Sequence, residues 1–135
     1  MKYKNTGYGL LVSNLEKEIF FYQNILGYTL VRKNPGFALF DTDTSILYLW
    51  QWSHMCEHLG QEAMSKVKHR CQLCIKFDTQ EEVDAAYSEL VSKEVEFVVK
   101  PTEWPLWGSY AGYFIDPEGY MWEIFCWIKD EAIVY

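Results

Sequence analysis

What most constrains this 135-residue chain is an order of elements that runs twice. Tyr8 to Val12 reads as a short apolar strand, and Ser13-Asn14 stands where a helix cap is wanted, because a short side-chain oxygen can accept an orphan N–H of the first turn. Leu15, Ile19, Tyr22 and Leu26 recur at helical spacing and form one apolar stripe, which Gly27 ends in the left-handed conformation. Strands follow at Tyr28 to Lys33, Phe37 to Asp41 and Ser45 to Trp52, separated by the turns Asn34-Pro35-Gly36 and Asp41-Thr42-Asp43-Thr44.

From Cys71 the order restarts. Cys71 to Phe77 is a strand, Thr79-Gln80-Glu81-Glu82 is a capping box, and Val83, Ala86, Tyr87, Leu90 and Val91 give the second helix. Val95 to Val99 continues as a strand, and a long loop is expected over Pro101, Trp104, Pro105, Trp107 and Gly108. Tyr110 to Ile115 and Tyr120 to Trp127 then form a hairpin about Asp116-Pro117-Glu118-Gly119, with Pro117 presetting a corner and Gly119 free to take positive φ. The fold class is α+β, a single domain of two βαβββ modules, residues 1–52 and 71–135. A linker over 53–70 joins them and is expected to hold a short helix from Cys56 to Val67. A chain this short excludes two full-sized domains.

Twelve Lys and Arg against nineteen Asp and Glu leave a net charge of −7 with no basic run, which argues against nucleic acid as a partner. The longest apolar run, Ile46 to Trp50, falls far short of the roughly 20 residues that span a bilayer, so no membrane helix is expected. Met1 to Asn5 carries charge with no apolar stretch behind it, so no secretory leader is expected, and Cys56, Cys71, Cys74 and Cys126 are read as reduced cytoplasmic thiols. Aromatic residues make up 18% of the chain, an apolar supply suited to a core, an interface or a ring-binding cleft.

Two such modules, with Phe21-Tyr22-Gln23-Asn24-Ile25-Leu26-Gly27-Tyr28 in the first and Phe114-Ile115-Asp116-Pro117-Glu118-Gly119-Tyr120-Met121-Trp122-Glu123-Ile124-Phe125 in the second, resemble the vicinal-oxygen-chelate superfamily. It includes glyoxalase I, extradiol dioxygenases, and fosfomycin- and bleomycin-resistance proteins. The resemblance implies that each module curls into a half-barrel, that the concave faces enclose a pocket, and that a homodimer often completes it. It also implies four metal-ligand positions, which fall here on Gly7, Tyr48, Gln72 and Glu123.

Glycine offers no ligand and tyrosine, with an ordinary pKa of about 10, a poor one. Gln72 and Glu123 alone could hold a divalent metal, against a norm of three protein ligands at a catalytic zinc, so no cofactor is expected. Two readings of Glu123 stand. As a catalytic or anion-bearing pocket residue it would be desolvated by its same-face neighbours Met121 and Phe125. As a scaffold residue it would bond to Tyr48 or Gln72. Cys74 shares the face of Gln72 but lacks a placed His to activate it, so a packed strand thiol is expected. His54, Cys56, His58, His69, Cys71 and Cys74 crowd into one segment, yet their spacing matches no zinc-finger or ribbon pattern.

The expected ligand surface therefore comprises Tyr48, Trp50, Gln72, Cys74, Trp104, Trp107, Met121 and Phe125, with the two Trp of the long loop serving as a lid, stacking wall or dimer contact. The leading expectation is a cytoplasmic, metal-independent homodimer that binds a small aromatic or cationic molecule. The alternative is a metal-dependent glyoxalase I-like lyase or a dioxygenase using Gln72 and Glu123.

Overall fold

Each half of the repeat builds a four-stranded sheet with a helix packed against one of its faces. The computed structural model describes residues 1–2, 7–66, 71–105 and 108–128. They fall into two units, Met1–Arg70 and Cys71–Tyr135.

In the first unit the elements are β1 (Tyr8–Val12), α1 (Leu15–Phe20), β2 (Thr29–Asn34), β3 (Phe37–Asp41), β4 (Ile46–Gln51), α2 (Trp52–Leu59) and α3 (Gln61–Ser65). The sheet order is β1-β4-β3-β2, with β1 parallel to β4 and the other pairs antiparallel. Asn14 caps α1, its Oδ1 accepting the Lys17 N–H at 3.1 Å. The single helix expected up to Leu26 is instead α-helical only to Phe20 and continues as a π-helical turn, Phe21–Ile25. The wider turn lets consecutive rings face inward: Phe21 and Tyr22 are both buried while Phe20 stays exposed. Tyr22 lies 6.1 Å from the Phe40 ring and 6.3 Å from the Tyr28 ring. Between the modules, the one helix expected from Cys56 is two, α2 starting at Trp52 and α3 following a break at Gly60, whose φ of 92° no helix accommodates.

The second unit comprises β5 (Gln72–Lys76), α4 (Gln80–Ser92), β6 (Glu96–Trp104), β7 (Ser109–Ile115) and β8 (Met121–Trp127). Its order, β5-β8-β7-β6, repeats the first, again with one parallel pair. The capping box forms: Thr79 Oγ1 accepts the Glu82 N–H at 3.2 Å and donates to Glu82 Oε1 at 3.1 Å. Tyr110 on β7 donates its hydroxyl to Asp84 Oδ1 of α4 at 2.6 Å, tying helix to sheet. Beneath α4, Tyr87, Phe97, Phe114 and Trp122 touch in series with Val83 and Leu90 buried among the core residues. Each such side chain contributes about 1.5–3 kcal/mol by leaving water.

One expectation fails here. The segment read as a loop after Val99 is strand to Trp104. Pro101 breaks central strands because it lacks an N–H, but β6 is an edge strand and the residue sits in a bulge between Val99 and Thr102, where the ladder asks nothing of it. Gly112 on β7 makes the room, since a Cβ there would stand 2.9 Å from the Pro101 nitrogen. Trp107, the other loop ring, lies outside the described residues, as does His69. Among the described residues no helix is long and apolar enough to cross a membrane.

Candidate functional site

Strand alternation sorts each sheet into a helix-facing side and an opposite side. In the second unit Trp122, Ile124 and Cys126 face α4, so Met121, Glu123, Phe125 and Trp127 share the other face. Register places Cys74 of β5 and Tyr113 of β7 directly opposite Glu123, one on each flank, while Gln72 stands opposite Met121. Glu123 thus occupies the middle of a three-strand row. The Tyr113 hydroxyl donates to Glu123 Oε2 at 2.5 Å. Within the second unit the hydrogen-bond donor to this oxygen is Tyr113, a residue outside the expected site.

Partial burial, followed by the hydrogen bond to Glu123 and its charge, pushes the Tyr113 phenol well above the usual tyrosine range. The phenol is therefore a neutral donor at ordinary pH. Trp104, moved from loop to strand, frames the row: its ring lies edge-on to Tyr113 at 6.1 Å and its Nε1–H donates to the Ala111 carbonyl at 3.1 Å. On the other side Phe125, buried, meets the Trp127 ring edge-on at 5.2 Å. Tyr113 and Trp127 belong to this face and were absent from the expected ligand surface.

Cys74 is an exposed residue and not the packed strand thiol expected. Partial burial of the thiol and, secondarily, the Glu123 charge push its pKa up, so it is a poor thiolate at neutral pH. The same face lacks a described imidazole to activate it.

The first unit has its own ring cluster on the face opposite α1. Phe37 of β3 lies between Trp50 and Tyr48 of β4, 4.4 Å from the first ring and 5.9 Å from the second. All three rings are half-buried. Arg32 and Asn34 of β2 lie on that face too, the Arg32 Nε–H donating to Asn34 Oδ1 at 2.8 Å. Gly7 offers no donor atom, and a Cβ at that position would stand 2.7 Å from Tyr48 Cε2. The Tyr48 ring therefore fills the space a ligating side chain at position 7 would need. A separate open hollow of about 390 Å³ lies against Leu15, Glu16, Lys33, Asn34, Pro35, Gly36 and Gln51, and none of the expected site residues lines it. Its polar wall is already satisfied by the Glu16–Lys33 ion pair at 2.7 Å.

A duplicated βαβββ sheet carrying a carboxylate in mid-strand of the last β-strand defines a class, and sequence comparison gives it a name. Residues 6–124 match the Glyoxalase/Bleomycin resistance protein/Dioxygenase superfamily, and the chain belongs to it. A crystal structure of a glyoxalase/bleomycin resistance protein/dioxygenase from Nocardioides is 30% identical, covers 100% of this chain and 91% of that one, and superposes with a TM-score of 0.84. Uncharacterized protein YraH of Bacillus subtilis is 29% identical over 119 residues, 86% of this chain and 92% of YraH. Lactoylglutathione lyase from Agrobacterium tumefaciens, at 22% identity and a TM-score of 0.74 over 93% of this chain and 96% of its own, shares the fold.

Proposed function

We propose that this superfamily member binds a small cationic or aromatic molecule without a metal, with Glu123 as the anion that receives it. The observation that carries this reading is the Tyr113–Glu123 hydrogen bond. It holds one carboxylate oxygen and leaves the other for a ligand, among Trp104, Met121 and Phe125. Aromatic faces attract cations, and a carboxylate next to them adds a charge-assisted hydrogen bond. The net charge of −7 favours a cation over an anion.

The donor set supports the metal-free reading. Of the four family ligand positions, Gly7 gives nothing, Tyr48 fills the gap with a ring, Gln72 is a neutral amide opposite Met121, and Glu123 is engaged by Tyr113. That falls short of the three protein ligands of a catalytic zinc site. We read the protein as a cytoplasmic homodimer, a setting in keeping with four free thiols. Sequestration of the ligand is a sufficient activity.

Tryptophan fluorescence tests the proposal, because Trp50, Trp104 and Trp127 belong to the two ring-bearing faces. Saturable quenching by a member of a panel of aromatic cations is expected, and it should persist unchanged in protein stripped of metal by chelator, with no metal whose retention depends on Glu123. Stoichiometric Ni, Zn, Mn or Fe dependent on Glu123 and Gln72 would transfer the reading to a metal-dependent lyase or dioxygenase.

A further inference from the structure

We propose that His54 and His58 on α2 form a two-imidazole site for a divalent transition-metal ion of the copper, nickel and zinc type. The site is independent of the family ligand positions and of the proposed ligand face. The two residues are four apart on the eight-residue helix Trp52–Leu59, so they project from the same side one turn apart. Their ring centroids are 4.3 Å apart and the ring planes tilt by 59°. Two nitrogens each about 2.0–2.1 Å from one ion stand about 3 Å from each other, a separation these rings reach by small χ rotations.

His54 is held in place by its surroundings. Its Cγ end rests on Gly36 of the β2–β3 turn, where an added Cβ would also lie 2.7 Å from both Cδ2 and Nδ1. Nε2 is at the far end of the ring from that contact. Gly36 has a φ of 75°, so glycine is required there for the backbone as well as for the ring. His58 is exposed and free to turn towards His54. Cys56 is buried on the other side of the helix, and Glu57, although three residues from His54, completes no three-ligand group with the pair among the described residues, so the remaining coordination positions go to water or an external donor. Neutral imidazoles favour copper, nickel and zinc over magnesium, whose preference is for oxygen. An ion bridging one turn would also brace α2, which is shorter than the length at which isolated helices persist.

The test is calorimetric titration of the chelator-stripped full chain with each metal salt alone. Copper should bind most tightly, nickel measurably, and magnesium not detectably. Removing one of two ligands in His58→Gln should weaken nickel binding at least about tenfold, with the fold checked by circular dichroism. His54→Gln should do the same. Because its ring seats on Gly36 and its loss could unsettle the turn, the exposed His58 variant is the deciding one. Glu123→Gln should leave nickel binding unchanged, which separates this site from any metal at the family positions. Absence of nickel binding, equal binding of magnesium, or nickel affinity unaltered in His58→Gln would each overturn the proposal.

Discussion

Tyr113 is where sequence reading and structure part company at the scale of single residues. The faces of β8 follow from alternation alone, so Met121 and Phe125 are legible as neighbours of Glu123. The partner across the hairpin is not, because it depends on the register set by the turn. Asp116 accepts the Glu118 and Tyr120 N–H groups on Oδ1 and donates its own N–H to the Tyr120 carbonyl, which pairs Ile115 with Met121. A register one residue different would set Gly112 opposite Glu123 and remove the hydroxyl. Glu123→Gln keeps an acceptor for Tyr113 but removes the charge. Affinity for an aromatic cation should therefore fall by about 1–3 kcal/mol, while melting temperature falls only by the difference between a charge-assisted and a neutral hydrogen bond to Tyr113. Loss of stability with unaltered binding would reduce Glu123 to a scaffold residue. Tyr113→Phe addresses the bond itself. Folding raises the phenol's pKa, so the bond's contribution is whole below the unfolded value of about 10 and is lost as pH climbs through the higher folded value. The stability difference between wild type and Tyr113→Phe should be constant from pH 7 to 9 and shrink above pH 10, as denaturant melts would measure.

Among the elements, those announced by local chemistry are legible and those depending on tertiary packing are not. The N-caps at Asn14 and Thr79 are examples of the first kind, for capping needs only a side-chain oxygen at the right offset. The π-helical turn at Phe21–Ile25 belongs to the second. Its apolar stripe suits an α-helix, and only the burial of two adjacent rings against Phe40 and the sheet selects the wider turn. Pro101 illustrates the same limit, because whether proline ends a strand depends on that strand's place at the edge of its sheet. The cap can be tested directly. Thr79→Ala removes an acceptor for the Glu82 N–H and the reciprocal hydroxyl donor, and should cost about 0.5–2 kcal/mol of stability in a denaturant melt. Binding at Glu123 should be unaffected, since Thr79 lies at the start of α4 on the opposite side of the sheet.

For the molecule as a whole the sheet edges carry the remaining prediction. β1 and β2 flank the first sheet, β5 and β6 the second, so four strands have an edge outside their own sheet's ladder. Unpaired edges invite association with other strands unless bulges, charge or a covering surface prevent it. β2 and β6 solve the problem locally, and in the same way: the register of each slips at Val31 and at Val98, and both side chains are more than half exposed on the bulge. Such bulges bend and twist the strand away from flat pairing. β1 and β5 carry no bulge, and Tyr8 at the start of β1 is 54% exposed. In the two-fold homodimer proposed above, this unbulged edge is where the second copy would meet the chain, the same patch meeting itself. Sedimentation at micromolar concentration should therefore give twice the 16.0 kDa chain mass. A charge placed on that edge, Tyr8→Lys, should shift the distribution towards the monomer without unfolding it, because the side chain lies outside the core; a wild-type mass near that of one chain would refute the dimer.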